Sequence, residues 1–176
     1  MKIMIFGATG TGKTTLAAEF AKRTGFTHLD SDDYYWRKTN PPFQEKVPIL
    51  ERNQNIKVDF HRFENVIISG SMISWDESWK KAFNLVVFLT LENSERLTRL
   101  KEREVERYGD KLLTDNIVKQ TSKEFLIWAN QYENLNFNGT TKQTHINWLQ
   151  EVDGKILELN GADALHQNVQ AIINEI

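Results

Sequence analysis

Ile3-Met4-Ile5-Phe6-Gly7-Ala8-Thr9-Gly10-Thr11-Gly12-Lys13-Thr14 is the stretch on which the fold turns. Its first four residues are a short apolar run of the kind a buried strand requires. Gly7 to Thr14 then matches the pattern GxxxxGK[ST], and Leu16, Ala17, Phe20 and Ala21 follow at helical spacing. Strand, glycine-rich loop and helix in that order form a phosphate cradle. The glycines let backbone N–H groups turn inward around a β-phosphate, and the helix beginning near Gly12 adds the positive end of its dipole. Gly7, Ala8, Thr9, Gly10, Thr11, Gly12, Lys13, Thr14 and Thr15 are therefore expected to hold a nucleotide. Lys13 is placed to reach its β- and γ-phosphates, and the Thr14 hydroxyl to ligate Mg²⁺.

Working outward, the same rhythm repeats along the chain. Phe26–Leu29, Val66–Ser69, Leu85–Leu89 and Ile156–Leu159 read as four more strands, with helical patterns between them. Parallel neighbours need crossover connections, and those are usually helices, so this alternation predicts a parallel sheet sandwiched by helices. The nearly unbroken apolar runs of the third and fourth strands agree. In the last predicted helix Leu165, Val169, Ile172, Ile173 and Ile176 share one face. Residues 37–62, with Pro41, Pro42 and Pro48, read as a loop followed by a helix. Residues 108–122 are polar, with Gly109 and Asp110 between two helical patterns, and read as a mobile flap. No repeat or linker divides the 176 residues, so one domain is expected, with a lid over about residues 103–122.

Composition narrows the functional classes. Twenty-two basic against 24 acidic side chains give a net charge of −2, which supplies no global field for a nucleic-acid backbone. The absence of cysteine excludes a disulfide framework, a thiolate nucleophile and a cysteine-ligated zinc or iron–sulfur centre. Gly7 ends the first apolar run well short of a signal peptide's core, and no later run approaches the roughly 20 residues that span a bilayer. A cytoplasmic protein, bound neither to nucleic acid nor to membrane and existing as a monomer or homodimer, is the expectation.

The second predicted strand runs into Leu29-Asp30-Ser31-Asp32-Asp33. Ligands of an open parallel sheet sit beyond the carboxyl ends of its strands, so these acids should share a rim with the phosphate loop. Two carboxylates there can divide the work: one orders Mg²⁺ or its waters, the other takes a proton from an attacking hydroxyl. The competing reading is a helix cap, supplied by Asp32 or Asp33. The third strand ends in Ser69-Gly70-Ser71 with no acid to serve Mg²⁺, which shifts the metal role to Thr14, Asp30 and Asp32.

Further along, Arg96, Arg99, Arg103 and Arg107 fall within about one quadrant of a helix at ~100° per residue. Glu92 and Glu95 can pair with Arg96 and Arg99, but Arg99, Arg103 and Arg107 repel one another at i,i+4 unless an anion lies across them. A triphosphate would supply it. Five basic and five acidic residues over positions 91–107 argue against a nucleic-acid patch. Around the predicted acceptor side lie Tyr34, Tyr35, Trp36, Trp75 and Trp79, each better read as core packing than as a stacking platform. Arg52 and Arg62 could bind an anionic acceptor, but surface solvation is the better reading for both. His28, His61, His145 and His166 show no metal-ligand spacing and are read as structural.

The phosphate loop followed by Asp30-Ser31-Asp32 resembles the small P-loop kinases of the adenylate kinase and shikimate kinase group, and the resemblance spans the chain. Through His28-Leu29-Asp30 and Trp36 it extends to the adenylate-kinase-related topology modulation proteins. It implies an α/β three-layer P-loop NTPase fold, with a five-stranded parallel sheet in the order 2-3-1-4-5, helices on both faces and a small lid. It also implies an enzyme that transfers the γ-phosphoryl of ATP, with Mg²⁺. Arg99 would meet the adenine or a phosphate, Gly161 after the last strand would border the nucleotide, and Arg103 and Arg107 would reach the transferring group on closure. Lys13, Asp32, Arg103 and Arg107 form the expected catalytic set. The chain lacks the triple glycine of shikimate kinases and the acceptor-side arginine of nucleoside monophosphate kinases. A hydroxyl acceptor such as a nucleoside or polyol is therefore the first expectation. A nucleoside monophosphate kinase, and a nucleotide-dependent ATPase or switch acting on a protein partner, are the alternatives.

Overall fold

In the computed structural model, which describes residues 1–40 and 42–176, five strands make one parallel sheet. They are β1 (Lys2–Phe6), β2 (Thr27–Asp30), β3 (Val66–Ser69), β4 (Leu85–Thr90) and β5 (Lys155–Asn160), in the spatial order β2-β3-β1-β4-β5. Each predicted strand is present, shifted by at most a residue or so at its ends. The alternation within strands divides the interior in two. Met4 and Phe6 of β1, Ile68 of β3 and Val86 and Phe88 of β4 point to one face, where they meet Ile56, Phe60, Trp75, Trp79 and Trp148. Ile3 and Ile5, Ile67, and Leu85, Val87 and Leu89 point to the other, against Leu16, Ala17, Phe20, Val169 and Ile172. Each fully buried large side chain here contributes about 1.5–3 kcal/mol, so both layers hold the central strands in register.

The helices are α1 (Lys13–Thr24), α2 (Ser31–Tyr35), α3 (Ile49–Arg62), α4 (Asn93–Tyr108), α5 (Lys111–Thr114), α6 (Asn116–Ala129), α7 (Lys142–Leu149) and α8 (Leu165–Ile173), with a 3-10 turn over Glu77–Lys81. The loop and helix expected over 37–62 are present as a loop and α3, apart from Pro41, which lies outside the described residues. Two expectations need correction. Residues 108–122, read as a flap between two helical patterns, are themselves largely helical: α5 and the first half of α6 occupy them. Asp115 caps α6 by accepting from the N–H groups of Ile117 and Val118, and Val118 anchors its inner face. In α8, Val169 and Ile172 are buried, whereas Leu165 and Ile176 at the ends of the pattern are exposed. A short amphipathic stripe outruns the sheet it covers.

Candidate active site

The phosphate loop is built where β1 ends and α1 begins. Gly10 and Gly12 sit at φ +85° and +98°, a backbone region in which a side chain is strained, so glycine is required for the inward turn. At Gly10 a Cβ would also stand 2.9 Å from the Arg96 carbonyl oxygen, because α4 packs its first turns against the loop. Lys13 folds back, its Nζ donating to the Ala8 carbonyl at 2.6 Å. Burial lowers its ammonium pKa to about 8, while Asp32 and Asp30 work in the opposite sense. The charge is held beside the cradle by carboxylates across the cleft.

Asp30 does two jobs. Its Oδ1 accepts from the Asp32 N–H at 3.0 Å and caps α2, while Oδ2 accepts from the Thr14 hydroxyl at 2.7 Å. The cap at this rim is therefore Asp30, not Asp32 or Asp33. Asp32 is left without a hydrogen-bond partner for its carboxylate among the described residues, facing Lys13 and Arg103. The cleft walls strip enough solvation to raise its pKa, and repulsion from Asp30 adds to that; Lys13 and Arg103 oppose both. Asp32 is exposed at the rim, and its carboxyl is nonetheless the more basic for the walls and the Asp30 charge beside it. No cluster of three or more acidic, histidine or cysteine side chains suited to a metal occurs among the described residues. Mg²⁺, however, takes one or two protein oxygens and completes its shell with phosphates and water. The Thr14 hydroxyl and the Asp30 carboxylate, already 2.7 Å apart, fit that mode.

The arginine stripe does not act as one surface. Arg96 is 0% exposed: its Nη2 meets both oxygens of Glu133 at 2.8 and 2.9 Å, and its Nη1 donates to the Thr9 carbonyl at 3.3 Å. Its guanidinium also lies 5.0 Å from the Tyr132 ring. Arg96 supports the phosphate loop from behind, paired with Glu133 rather than with the Glu92 its i,i+4 spacing suggested. Arg99 donates to the Gly161 carbonyl at 3.1 Å, and Gly161 in turn donates from its N–H to Thr90 at 2.7 Å. A Cβ at Gly161 would run into the Thr11 carbonyl, so the residue is packed against the cradle itself. Arg103 has its pKa lowered by burial and then by Arg107, the repulsion anticipated from spacing. Arg107 pairs with Glu104 at 3.2 Å and stands 4.5 Å from the Phe43 ring, across the mouth from α2.

Two buried polar residues stand out. His145 is fully buried, its Nε2 3.0 Å from the Ser71 hydroxyl and its Nδ1 2.7 Å from that of Tyr132. The ring lies 5.0 Å from Phe6, and burial, aided by Lys13, lowers its pKa to about 3, so it is neutral. The second is Arg52, for which surface solvation was the better reading: it is 7% exposed, its Cζ 4.3 Å from the Tyr35 and 4.5 Å from the Trp75 ring centroid, on one side of a ring pair whose centroids are 6.2 Å apart. A lone arginine and scattered aromatics give no periodic signal, and only the tertiary fold brings α2, α3 and the segment after β3 together.

The AAA domain family model matches residues 3–125. Among curated relatives, "Uncharacterized protein YqaC" of Bacillus subtilis (strain 168) is 34% identical over 172 residues, covering 98% of this chain and 95% of its own. Of solved structures, a deoxyadenosine kinase from M. mycoides with bound dATP superposes with a TM-score of 0.60 at 18% identity, over 99% of this chain and 98% of that one. The shikimate kinase from Bacteroides thetaiotaomicron does so with a TM-score of 0.58 at 20% identity, over 100% and 99%. These similarities establish a shared P-loop fold. Among the described residues no helix is long and apolar enough to cross a membrane.

Proposed function

From the premise that the chain belongs to the AAA domain family, we propose that it is an ATP- and Mg²⁺-dependent phosphotransferase acting on a hydroxyl group of a small molecule. The observation that carries this reading is the division of labour between the acids: Asp30 is occupied with the cap and Thr14, whereas Asp32 is unpaired across the cleft from Lys13. A free carboxylate of raised basicity at that rim suits proton removal from an acceptor hydroxyl. The deoxyadenosine kinase and the shikimate kinase of the same fold, each by its name a kinase of a small hydroxylated molecule, favour the same class.

In this mechanism the loop from Gly7 to Thr15 binds the triphosphate through its N–H groups, and Lys13 leaves the Ala8 carbonyl to reach the β- and γ-phosphates. The acceptor oxygen forms a bond to the γ-phosphorus as the bond to the β,γ-bridging oxygen breaks. ADP departs, and the hydroxyl proton passes to Asp32. Magnesium, when bound, neutralises phosphate charge, and Thr14 and Asp30 are the residues that would hold it. Arg103, and Arg107 after leaving Glu104, offset charge on the transferring group, while Arg99 and Gly161 border the nucleotide.

The test is ATP consumption against a panel of nucleosides, polyols and hydroxy acids, with Asp32→Asn as the comparison. The substitution preserves the cap, because Asp30 supplies it, and should lower transfer by 10²-fold or more with ATP affinity unchanged. Transfer at the parental rate with acceptor saturating would place the base elsewhere.

A further inference from the structure

At the end of β3 the chain places a hydroxyl between the two halves of the cleft. Ser69 pairs with Ile5 of β1 on one side and with Asp30 of β2 on the other. The Gly70 N–H still donates to the Ile5 carbonyl at 3.0 Å, so the chain keeps its path beside β1 for one residue beyond β3. Ser71 follows at the carboxyl rim, where β1 gives way to the phosphate loop and β2 to Ser31 and Asp32. A Cβ at Gly70 would collide with the Ser31 side chain, so these strand ends are held close. In the mechanism above Ser71 has no task. Its hydroxyl nonetheless heads a chain of polar groups: Oγ lies 3.0 Å from His145 Nε2, and His145 Nδ1 lies 2.7 Å from the Tyr132 hydroxyl. Lys13, which the loop directs to the β- and γ-phosphates, stands near enough for its charge to bear on the His145 ring.

Which way the protons point follows from the supply of acceptors. The Tyr132 hydroxyl has no partner but His145 among the described residues, and burial raises its pKa, so the phenol keeps its proton. Were the imidazole proton on Nδ1, Tyr132 would accept it and its own O–H would be stranded; with Nδ1 bare, the O–H donates to it and nothing is left over. His145 is neutral, so its one proton is then on Nε2 and goes to Ser71 Oγ. Ser71 accepts, and its own proton has no acceptor among the described residues. Two hydrogen bonds running in one sense polarise the last O–H, which makes it a better donor to an anion than an isolated serine. Each link is also fixed in place. The His145 ring lies 5.0 Å from Phe6 and 6.0 Å from Phe88, and α7, which carries it, is capped by Thr141. Tyr132 has the Arg96 guanidinium 5.0 Å from its ring and the Lys142 N–H on its carbonyl. Because Arg96 also supports the loop at Thr9, relay and phosphate cradle share an anchor.

We infer that Ser71 donates a hydrogen bond to a non-bridging oxygen of the transferring γ-phosphoryl group, with His145 and Tyr132 as the positioning residues that hold its proton outward. This rests on the kinase reading above for the identity of the transferred group, and deepens it. Asp32 takes the acceptor's proton, while Ser71 offers one to the oxygens on which charge is carried through transfer, where a fixed donor is worth most. It is a neutral donor set before the ligand arrives, whereas Lys13 and Arg107 must first leave Ala8 and Glu104.

The experiment has two readouts, and neither needs an acceptor. Nitrogen NMR of the imidazoles in the full chain assigns the tautomer: His145 should carry its proton on Nε2, with Nδ1 bare. Calorimetry in Mg²⁺ then compares a non-hydrolysable ATP analogue with ADP. Ser71→Ala should weaken binding of the analogue about tenfold and leave ADP unchanged, because only the analogue has a γ-phosphoryl group. Tyr132→Phe keeps the packing of the ring and removes the first donor, so it should lower the same preference by a smaller factor and release the tautomer toward a proton on Nδ1. If Ser71→Ala does not fold, Tyr132→Phe and the tautomer carry the test. A proton on Nδ1 in the wild type would overturn the inference, since Ser71 would then donate to Nε2 and have nothing for the ligand. So would equal losses for the analogue and ADP, which a merely structural network would give, or a preference that survives in Ser71→Ala, or in Tyr132→Phe where that variant takes its place. Assay of ADP release with the acceptor panel separates the two claims. A γ-phosphoryl preference lost in Ser71→Ala, with no acceptor phosphorylated by the wild type, would sink the kinase reading and leave the Ser71 contact. Transfer that continues in Ser71→Ala at the parental rate would do the reverse.

Discussion

Acidification offers a direct measure of what the buried histidine contributes. His145 has an ordinary pKa of 6.5 in the unfolded chain and about 3 in the folded protein, where burial and then Lys13 disfavour the imidazolium. A base with a depressed folded pKa adds stability that is fully present above 6.5 and is lost as pH falls from there toward 3, because only the unfolded chain takes up the proton. At 1.36 kcal/mol per pKa unit, lowering the pH from 7 to 5 should remove about 2 kcal/mol through this one group. The ring is fully buried, so no allowance for solvent screening is needed. For a chain of this size that corresponds to a fall in Tm of about 4–8 °C. The assay is urea denaturation at the two pH values for the wild type and for His145→Gln. Other groups, including His28, whose pKa burial also lowers, titrate alike in both proteins and cancel in the difference. His145→Gln is less stable at pH 7 but should lose about 2 kcal/mol less on acidification. Equal losses in the two proteins would refute the assignment of a neutral, proton-excluding His145.

Three further outcomes are expected. Lys13→Ala should abolish or greatly weaken Mg-ATP binding by calorimetry while leaving circular dichroism unchanged; and because the Lys13 ammonium titrates at about 8, wild-type affinity should fall about tenfold between pH 7 and 9, a dependence that Lys13→Arg flattens. Glu133→Gln leaves the buried Arg96 guanidinium without its counter-charge and should cost about 2 kcal/mol in denaturant unfolding, less than a fully enclosed pair because the Glu133 side chain is 41% exposed. Hydrogen exchange over Arg103–Ile117 should slow when a non-hydrolysable ATP analogue is bound; no change at saturation would count against a lid.

The sheet was legible because its signals are local. Four or five apolar residues between helical stretches read as strands, and GxxxxGK[ST] between the first strand and helix names its own backbone shape. The sheet order was legible only through resemblance, since strand spacing alone does not say which neighbours pair. The helices within residues 108–122 were not legible, because a polar stretch broken by Gly109 and Asp110 shows no helical periodicity of its own. A helix capped by Asp115 can bury as little as Val118, Ser122 and Ala129, leave Ile117, Ile127 and Trp128 exposed, and still be a helix. Arg96 was placed on the right helix and given the wrong neighbours, because its partner Glu133 lies 37 residues away. For Arg52 the sequence prior for a lone arginine is solvent, and only the convergence of Tyr35 and Trp75 from separate segments reverses it.

The two oxygens of Asp30 have a thermodynamic consequence. One holds the first turn of α1 through Thr14, the other holds the start of α2, so a single carboxylate joins the nucleotide half of the cleft to the acceptor half. A ligand that takes up the Thr14 hydroxyl must detach it from Asp30, and the freed oxygen changes the field felt by Asp32 two residues on. Affinity at one half then depends on occupancy of the other, and the dependence is reciprocal: whatever factor the nucleotide imposes on the acceptor, the acceptor returns. Asp30→Asn, which keeps a side-chain oxygen for the cap but not the charge, would cut that conversation while leaving both rooms standing.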